Sequence, residues 1–136
     1  MKAIRALLCV VVLGIGCWLA VGAGRAAEPK ERRGTIVHCV FFWLKDTATK
    51  EDVATLIRDC KEMLAPLPCV KQLDVGTPVV QERGAPVDST YQVGITVCFD
   101  DAQGYETYQK HPEHLKLIEK HKPFWQKVVV YDFVRQ

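Results

Sequence analysis

The sequence has no large excess of charge of either sign, and it contains no internal repeat and no low-complexity segment. Its 136 residues carry 18 basic and 16 acidic side chains. Three of the basic residues stand in the first 27 positions, so the remainder is nearly neutral, with 15 basic against 16 acidic. Because nucleic-acid binding depends on neutralising phosphates, this balance argues against nucleic acid as the main partner.

The composition is that of an ordinary globular protein. Hydrophobic residues make up 49% of the chain and charged residues 25%, so it is not wholly disordered, collagenous or coiled-coil. The length corresponds to one domain.

The sequence also lacks a CxxC pair, which argues against a structural zinc site or a thioredoxin-type redox site. Four cysteines lie beyond the N-terminal leader: Cys39, Cys60, Cys69 and Cys98. Two interpretations stay open for them. They are small buried hydrophobic residues, or Cys39 and Cys98 form a disulfide between neighbouring strands.

The N-terminus is typical of a secretory signal peptide. A short basic start precedes an uncharged run over 6–23, and small residues then offer cleavage sites. We therefore predict a signal peptide over 1–27, a flexible charged linker over 28–34 and a folded domain over 35–136. The protein is expected to be exported, to the periplasm or beyond, with no stable membrane association once the leader is removed.

Two alternatives to a cleaved leader stay open. The apolar run is 18 residues long and just reaches the length of a membrane span, so an uncleaved leader would tether the protein. A lipid anchor on Cys17 is also conceivable, but Gly14 stands where an apolar residue is usual.

The folded part alternates between strand and helix patterns. A helix is predicted from its N-cap Thr49 until the prolines at 66 and 68, and two shorter helices meet at Pro112. His121 is expected at a helix end, facing the helix dipole or solvent. Strands are predicted over 35–44, 70–80, 90–99 and 124–134.

This order predicts an α+β fold, a ferredoxin-like βαββαβ domain with a four-stranded antiparallel sheet. Both helical regions then cover the same face of the sheet. The first strand is apolar on both faces, with Phe42 on one and Phe41 on the other. We therefore expect a homodimer in which two sheets pack face to face into an α/β barrel.

The densest group of chemically active side chains lies where the two later helices join. Tyr108, His111 and His114 are each three residues apart, so they can converge on one side. Histidine can act as a base near neutral pH, and tyrosine can donate a hydrogen bond to a developing oxyanion. In the structural alternative, His111 caps a helix and His114 makes a structural hydrogen bond.

His38 is polar but shares a strand face with apolar residues, so it needs a partner if it is buried. It is either a satisfied core histidine or part of one cavity with Tyr108 and His114. In the second case the ligand-binding residues are predicted to be His38, His111, Val40, Phe42, Tyr91 and Ile95. No metal site is predicted, since no carboxylate has ligand spacing with the histidines.

Four segments resemble one known family, the stress-responsive α/β-barrel (Dabb) domain. They are VHCVFFWLKD, YQVGITVCFDD, YQKHPEHL and FWQKVVVYDF, within residues 35–134. The resemblance implies a ferredoxin-like subunit that pairs sheet to sheet. A plant polyketide cyclase of this family needs no cofactor or metal. By resemblance to it, Tyr108 and His114 would be catalytic in an aldol-type ring closure, and His38 and His111 would line the pocket.

Three functions remain open at this level. The first is a dimeric domain that binds a small organic ligand, including as a cofactor-free lyase or cyclase with a Tyr/His pair. The second is a non-enzymatic stress-response or interaction protein. The third, on fold analogy alone, is a monooxygenase-like enzyme.

Overall fold

The computed structural model describes residues 35–79 and 86–136. The predicted signal peptide and linker lie outside the described residues. The elements in chain order are β1 (Ile36–Leu44), α1 (Lys50–Asp59), a π-helical turn (Cys60–Leu64), β2 (Gln72–Gly76), β3 (Val93–Phe99), α2 (Ala102–Lys110), α3 (Pro112–His121), a short 3₁₀ turn (Lys122–Phe124) and β4 (Trp125–Val134).

The four strands form one antiparallel sheet in the order β2-β3-β1-β4. β1 is central, and its Val40 lies opposite both Ile95 of β3 and Val130 of β4. This is the predicted ferredoxin-like arrangement, and the fold prediction is confirmed.

The core lies between the sheet and the helices. Alternation along β1 and β3 sends every second side chain to this face, where Val40, Phe42 and Ile95 pack against helical residues. The helices contribute buried Leu56, Leu64, Tyr108 and Leu117 to the same cluster. Among the described residues, no helix combines the length and apolarity needed to cross a membrane.

Helix α1 begins as the sequence predicts. The Thr49 hydroxyl accepts a hydrogen bond from the Asp52 N–H at 3.2 Å, and the Asp52 carboxylate accepts one from the Thr49 N–H at 2.7 Å. Its end differs, because the regular α-helix stops at Asp59 and continues as the π-helical turn to Leu64. The apolar periodicity continues through that turn, so it did not mark the change.

The second face of the sheet carries an aromatic cluster. The Phe41 ring packs on Tyr91 at 4.9 Å and on Tyr131 at 6.3 Å between centroids. Gly94 makes this possible, since a Cβ there would lie 3.2 Å from the Tyr91 ring and 3.3 Å from the Phe41 ring. Tyr131 and Phe133 are 61% and 53% exposed. We call this surface the open face.

The strand predicted over 90–99 would put Tyr91, one of the predicted ligand-binding residues, on the same face as Val93 and Ile95, and this placement is wrong. Tyr91 precedes the first residue of β3, so the strand alternation that orients Val93 and Ile95 does not extend to it. Its ring lies instead against Phe41 and Trp43 on the open face.

All four cysteines in the described part are free thiols. The disulfide considered between Cys39 and Cys98 is not formed, because the register pairs Cys98 with Val37 and leaves Cys39 on the diagonal. Cys60 and Cys98 are buried, as expected for small hydrophobic residues. Burial raises the pKa of Cys60 to about 12, so this thiol stays protonated at neutral pH.

His121 lies at the end of α3, as expected, but it does not face solvent. It is buried, and its Nε2 donates to Asp59 Oδ2 at 2.7 Å, while Lys120 Nζ lies 2.6 Å from the same oxygen. Burial by itself raises the pKa of Asp59, but these two partners outweigh it and hold the pKa below its ordinary value. Asp59 thus joins the end of α1 to the end of α3.

We predict that Asp59→Ala lowers the free energy of unfolding by about 3 kcal/mol, because it leaves His121 buried without its acceptor. Glu62→Ala, an exposed carboxylate on the following turn, is the matched control and should cost little. Urea denaturation measures both. Equal, small losses in the two variants would contradict the structural role of Asp59.

Candidate functional site

A cavity of about 190 Å³ lies between the sheet and helices α2 and α3. Its walls are mostly aliphatic and aromatic, and its polar side chains include His38, Tyr108, Gln109 and His114. The lining residues are His38, Val40, Phe42, Leu64, Ile95, Tyr108, Gln109, His114, Leu117, Ile118, Trp125, Val128 and Val130. Six of the eight side chains that were predicted to be catalytic or ligand-binding therefore line this cavity.

The junction of α2 and α3 brings Tyr108 and His114 together. Pro112 occupies the first turn of α3, and the backbone of His111 is extended, so the chain turns between Tyr108 and His114. Their rings stack, with centroids 4.3 Å apart and planes 30° apart. Tyr108 is only 1% exposed.

His111 serves the helix and not the cavity. Its Nδ1 accepts a hydrogen bond from the Glu113 N–H at 3.2 Å and so caps α3. It is absent from the lining of the cavity. The geometry therefore favours the structural alternative, in which His111 caps a helix, over the prediction that His111 binds the ligand.

His114 is held with one nitrogen free. Its Nδ1 lies 3.3 Å from the carbonyl oxygen of Gln109, and a carbonyl can only accept, so Nδ1 carries the proton in the neutral ring. Nε2 is then the unprotonated nitrogen. Burial lowers the pKa of His114, and the neighbouring His38 and His111 lower it further. His114 is therefore neutral at pH 7 and able to accept a proton.

Tyr108 and Tyr105, both on α2, remain protonated at neutral pH. Burial is the main cause that raises the pKa of Tyr108 far above its ordinary range. Burial, together with a hydrogen bond to Asp132, raises the pKa of Tyr105 to about 12. Both phenols are therefore hydrogen-bond donors under physiological conditions.

His38 is buried and has a carboxylate partner that the sequence analysis did not identify. Its Nδ1 lies 2.6 Å from Asp132 Oδ1, and the Tyr105 hydroxyl donates to Asp132 Oδ2 at 2.8 Å. The signal was present, since Asp132 is the one charged residue in the run VVVYDFV over 128–134. Only the register, which sets His38 opposite Asp132, shows what it meets.

A larger depression, of about 940 Å³, lies on the open face and is lined by residues such as Cys39, Thr96 and Phe133. It contains neither Tyr108 nor His114, so we take the smaller cavity as the candidate site. In the described part of the chain, no three histidine, cysteine or carboxylate side chains are grouped so as to hold a metal ion.

Residues 36–135 match the model of the Stress responsive A/B Barrel Domain, Dabb. The chain belongs to this family. A curated relative is olivetolic acid cyclase of Cannabis sativa, 20% identical over 98 residues, which are 72% of this chain and 94% of the relative.

Solved structures agree with the Dabb fold. A dimeric ferredoxin-like protein of unknown function from Thermobifida fusca has a TM-score of 0.65 and 22% identity, covering 81% of this chain and all of the other. Hydroxynitrile lyase from Passiflora edulis has a TM-score of 0.63 and 18% identity, covering 76% and 94%. At these identities the likeness establishes the fold.

We predict that the midpoint of His114 titration lies below the ordinary value of 6.5, because burial disfavours the charged ring. Protonation of His114 should therefore reduce stability as the pH falls from 6.5 towards that midpoint. Proton NMR of the histidine rings measures the midpoint, with His114→Gln for assignment and the urea-unfolded protein as reference. A folded midpoint at or above 6.5 would contradict this description.

Proposed function

We propose that this Dabb protein binds a small neutral carbonyl compound and acts on it as a cofactor-free lyase or cyclase. The observation that carries the proposal is the stacked Tyr108–His114 pair in the wall of a mostly apolar, partly open cavity. It combines a neutral histidine with a phenol that keeps its proton. These are the base and the oxyanion donor that proton abstraction beside a carbonyl requires.

The reaction follows from the protonation states of the pair. In ring closure, Nε2 of His114 takes a proton from the carbon next to the carbonyl, and the electron pair moves to the carbonyl oxygen, where the Tyr108 hydroxyl donates a hydrogen bond. The enolate carbon then forms a bond to a second carbonyl carbon, and the oxygen of that carbonyl takes the proton from His114. Cleavage is the reverse: His114 takes the hydroxyl proton, the carbon–carbon bond breaks as the carbonyl forms, and the departing carbon takes the proton, so no external oxidant or reductant is needed.

The walls of the cavity indicate the kind of ligand. Among the described residues that line the cavity there is no lysine, arginine or carboxylate, and the rings of Phe42 and Trp125 offer aromatic surface, with centroids 5.2 Å apart. A neutral ligand with an apolar or aryl group suits such walls better than an anion does. Two similar proteins, olivetolic acid cyclase and hydroxynitrile lyase, support the same class of reaction.

We further propose that the protein is a homodimer joined through its open face. Tyr131, Phe133 and Phe41 form an apolar aromatic surface there that a monomer leaves partly in water. The solved neighbours described as dimeric ferredoxin-like proteins support this assembly.

We predict that the wild-type protein accelerates deuterium exchange at the α-carbon of phenylacetone, a neutral aryl ketone. His114→Ala and Tyr108→Phe should each reduce the enzyme-dependent rate by about 100-fold, the scale of losing a general base or an oxyanion donor. Proton NMR in deuterated buffer follows the exchange.

Tyr131→Phe is the matched control for Tyr108→Phe, because it removes the same hydroxyl group from a tyrosine on the open face. It should leave the exchange rate unchanged. Saturation-transfer NMR measures binding of the same ketone. Binding without exchange would favour a binding module over an enzyme, and equal exchange in all variants would contradict the site.

For the assembly, we predict that sedimentation equilibrium gives twice the subunit mass. Phe133→Asp should raise the dissociation constant of the dimer by about 30-fold or more, since it buries a charge in the apolar contact. Phe133→Leu is the control and should retain the dimer. A monomeric wild-type protein would refute this assembly.

A further inference from the structure

Three side chains from three elements form a continuous hydrogen-bonded chain at the edge of the cavity. Tyr105 of α2 donates to one oxygen of Asp132 on β4, and His38 of β1 contacts the other oxygen. The distances are 2.8 and 2.6 Å, both short enough for hydrogen bonds. The Tyr105 and His38 rings also lie 5.5 Å apart between centroids.

The fold explains why these groups meet. His38 and Asp132 are directly opposite each other in the β1–β4 ladder, so their side chains leave the sheet on the same face. Tyr105 stands one helical turn before Tyr108 on α2, which packs over that face. Both tyrosines therefore contact the His38 ring, Tyr108 with its centroid 5.8 Å away.

The carboxylate decides where His38 carries its proton. An ionised Asp132 can only accept, so the neutral imidazole must hold its hydrogen on Nδ1 and leave the lone pair on Nε2. Asp132 itself is 40% exposed and would otherwise be free to rotate towards water. The Tyr105 hydroxyl occupies its second oxygen and so keeps the carboxylate turned towards His38.

We propose that Asp132, braced by Tyr105, is a positioning residue that makes His38 the second proton acceptor of the cavity. The idea of a second acceptor rests on the proposed function, but the tautomer of His38 does not. Tyr108 contacts both histidines, with ring centroids 4.3 Å from His114 and 5.8 Å from His38. A ligand carbonyl bound by the Tyr108 hydroxyl would thus have both imidazoles nearby.

This arrangement narrows the ligand class. In its neutral form each imidazole offers Nε2 as an acceptor, and Tyr108 offers a donor. The complementary ligand has one carbonyl oxygen flanked by two proton-bearing groups, as in a hydroxyketone or a 1,3-diketone. One histidine removes the reacting proton, while the other accepts a hydrogen bond from the second group and orients the ligand.

The experiment is long-range proton–nitrogen correlation NMR of the histidine rings, at a pH where they are neutral. His38 should carry its proton on Nδ1 in the wild-type protein, and His38→Gln assigns its signals. His121 serves as an internal reference, because its contact to Asp59 is made through Nε2 and requires the opposite tautomer. Asp132→Ala should move the His38 proton to Nε2, and Asp74→Ala, which removes an exposed carboxylate on β2, should not.

A proton on Nε2 of His38 in the wild-type protein, alone or together with one on Nδ1, would overturn the proposal. So would an unchanged His38 tautomer in a folded Asp132→Ala variant. If that variant does not fold, the wild-type spectrum still decides. Tyr105→Phe then provides a second variant, in which a mixture of His38 tautomers is expected because Asp132 is no longer braced.

Phenylacetone exchange tests the link between Asp132 and His38. Asp132→Ala should slow exchange by about 10-fold, and the same change should have no further effect in a His38→Ala background. Additive losses would show that Asp132 does not act through His38. If the wild-type protein shows no exchange at all, the proposed function fails, while the tautomer result stands or falls separately.

Discussion

The burial of β1 is the constraint on which the rest of the structure depends. β1 is hydrogen-bonded on both edges, and the side chains of one face lie under the helices. The strand period carries His38 into that face together with Val40 and Phe42. A buried imidazole needs a partner, and the neighbouring strand provides Asp132 at the opposite position. The same burial that stabilises the domain therefore brings a polar group to the wall of its cavity.

The chemistry of the cavity follows from desolvation. Removing water keeps His114 neutral and Tyr108 protonated, so one cavity contains an acceptor and a donor at neutral pH. Two carboxylates each contact a buried histidine, but they do so in different places. Asp59 joins α1 to α3 and stabilises the fold, whereas Asp132 lies at the cavity edge and orients a histidine. His38, the partner of Asp132, also lines the cavity.

Several features could be predicted from local sequence because their causes are local. The Thr49 cap depends on residues three positions apart, and the break at Pro112 depends on proline itself. Alternation placed Val40, Phe42 and Ile95 correctly because all three lie inside regular strands. The face of Tyr91 was predicted wrongly because this residue precedes β3, where regular alternation begins. The roles of the leader and of the linker remain predictions, because they lie outside the described residues.

The sequence by itself determined the order of elements, the apolar character of both faces of β1 and the spacing of Tyr108 and His114. Each of these is a property of neighbouring residues, fixed by backbone periodicity and side-chain type. Tertiary structure alone decided that Asp132 meets His38, that His121 is buried against Asp59 and that His111 stays out of the cavity. Those outcomes join residues 94 and 62 positions apart, or depend on a cap turning one ring away. Strand register and helix packing, which no local pattern encodes, set all three.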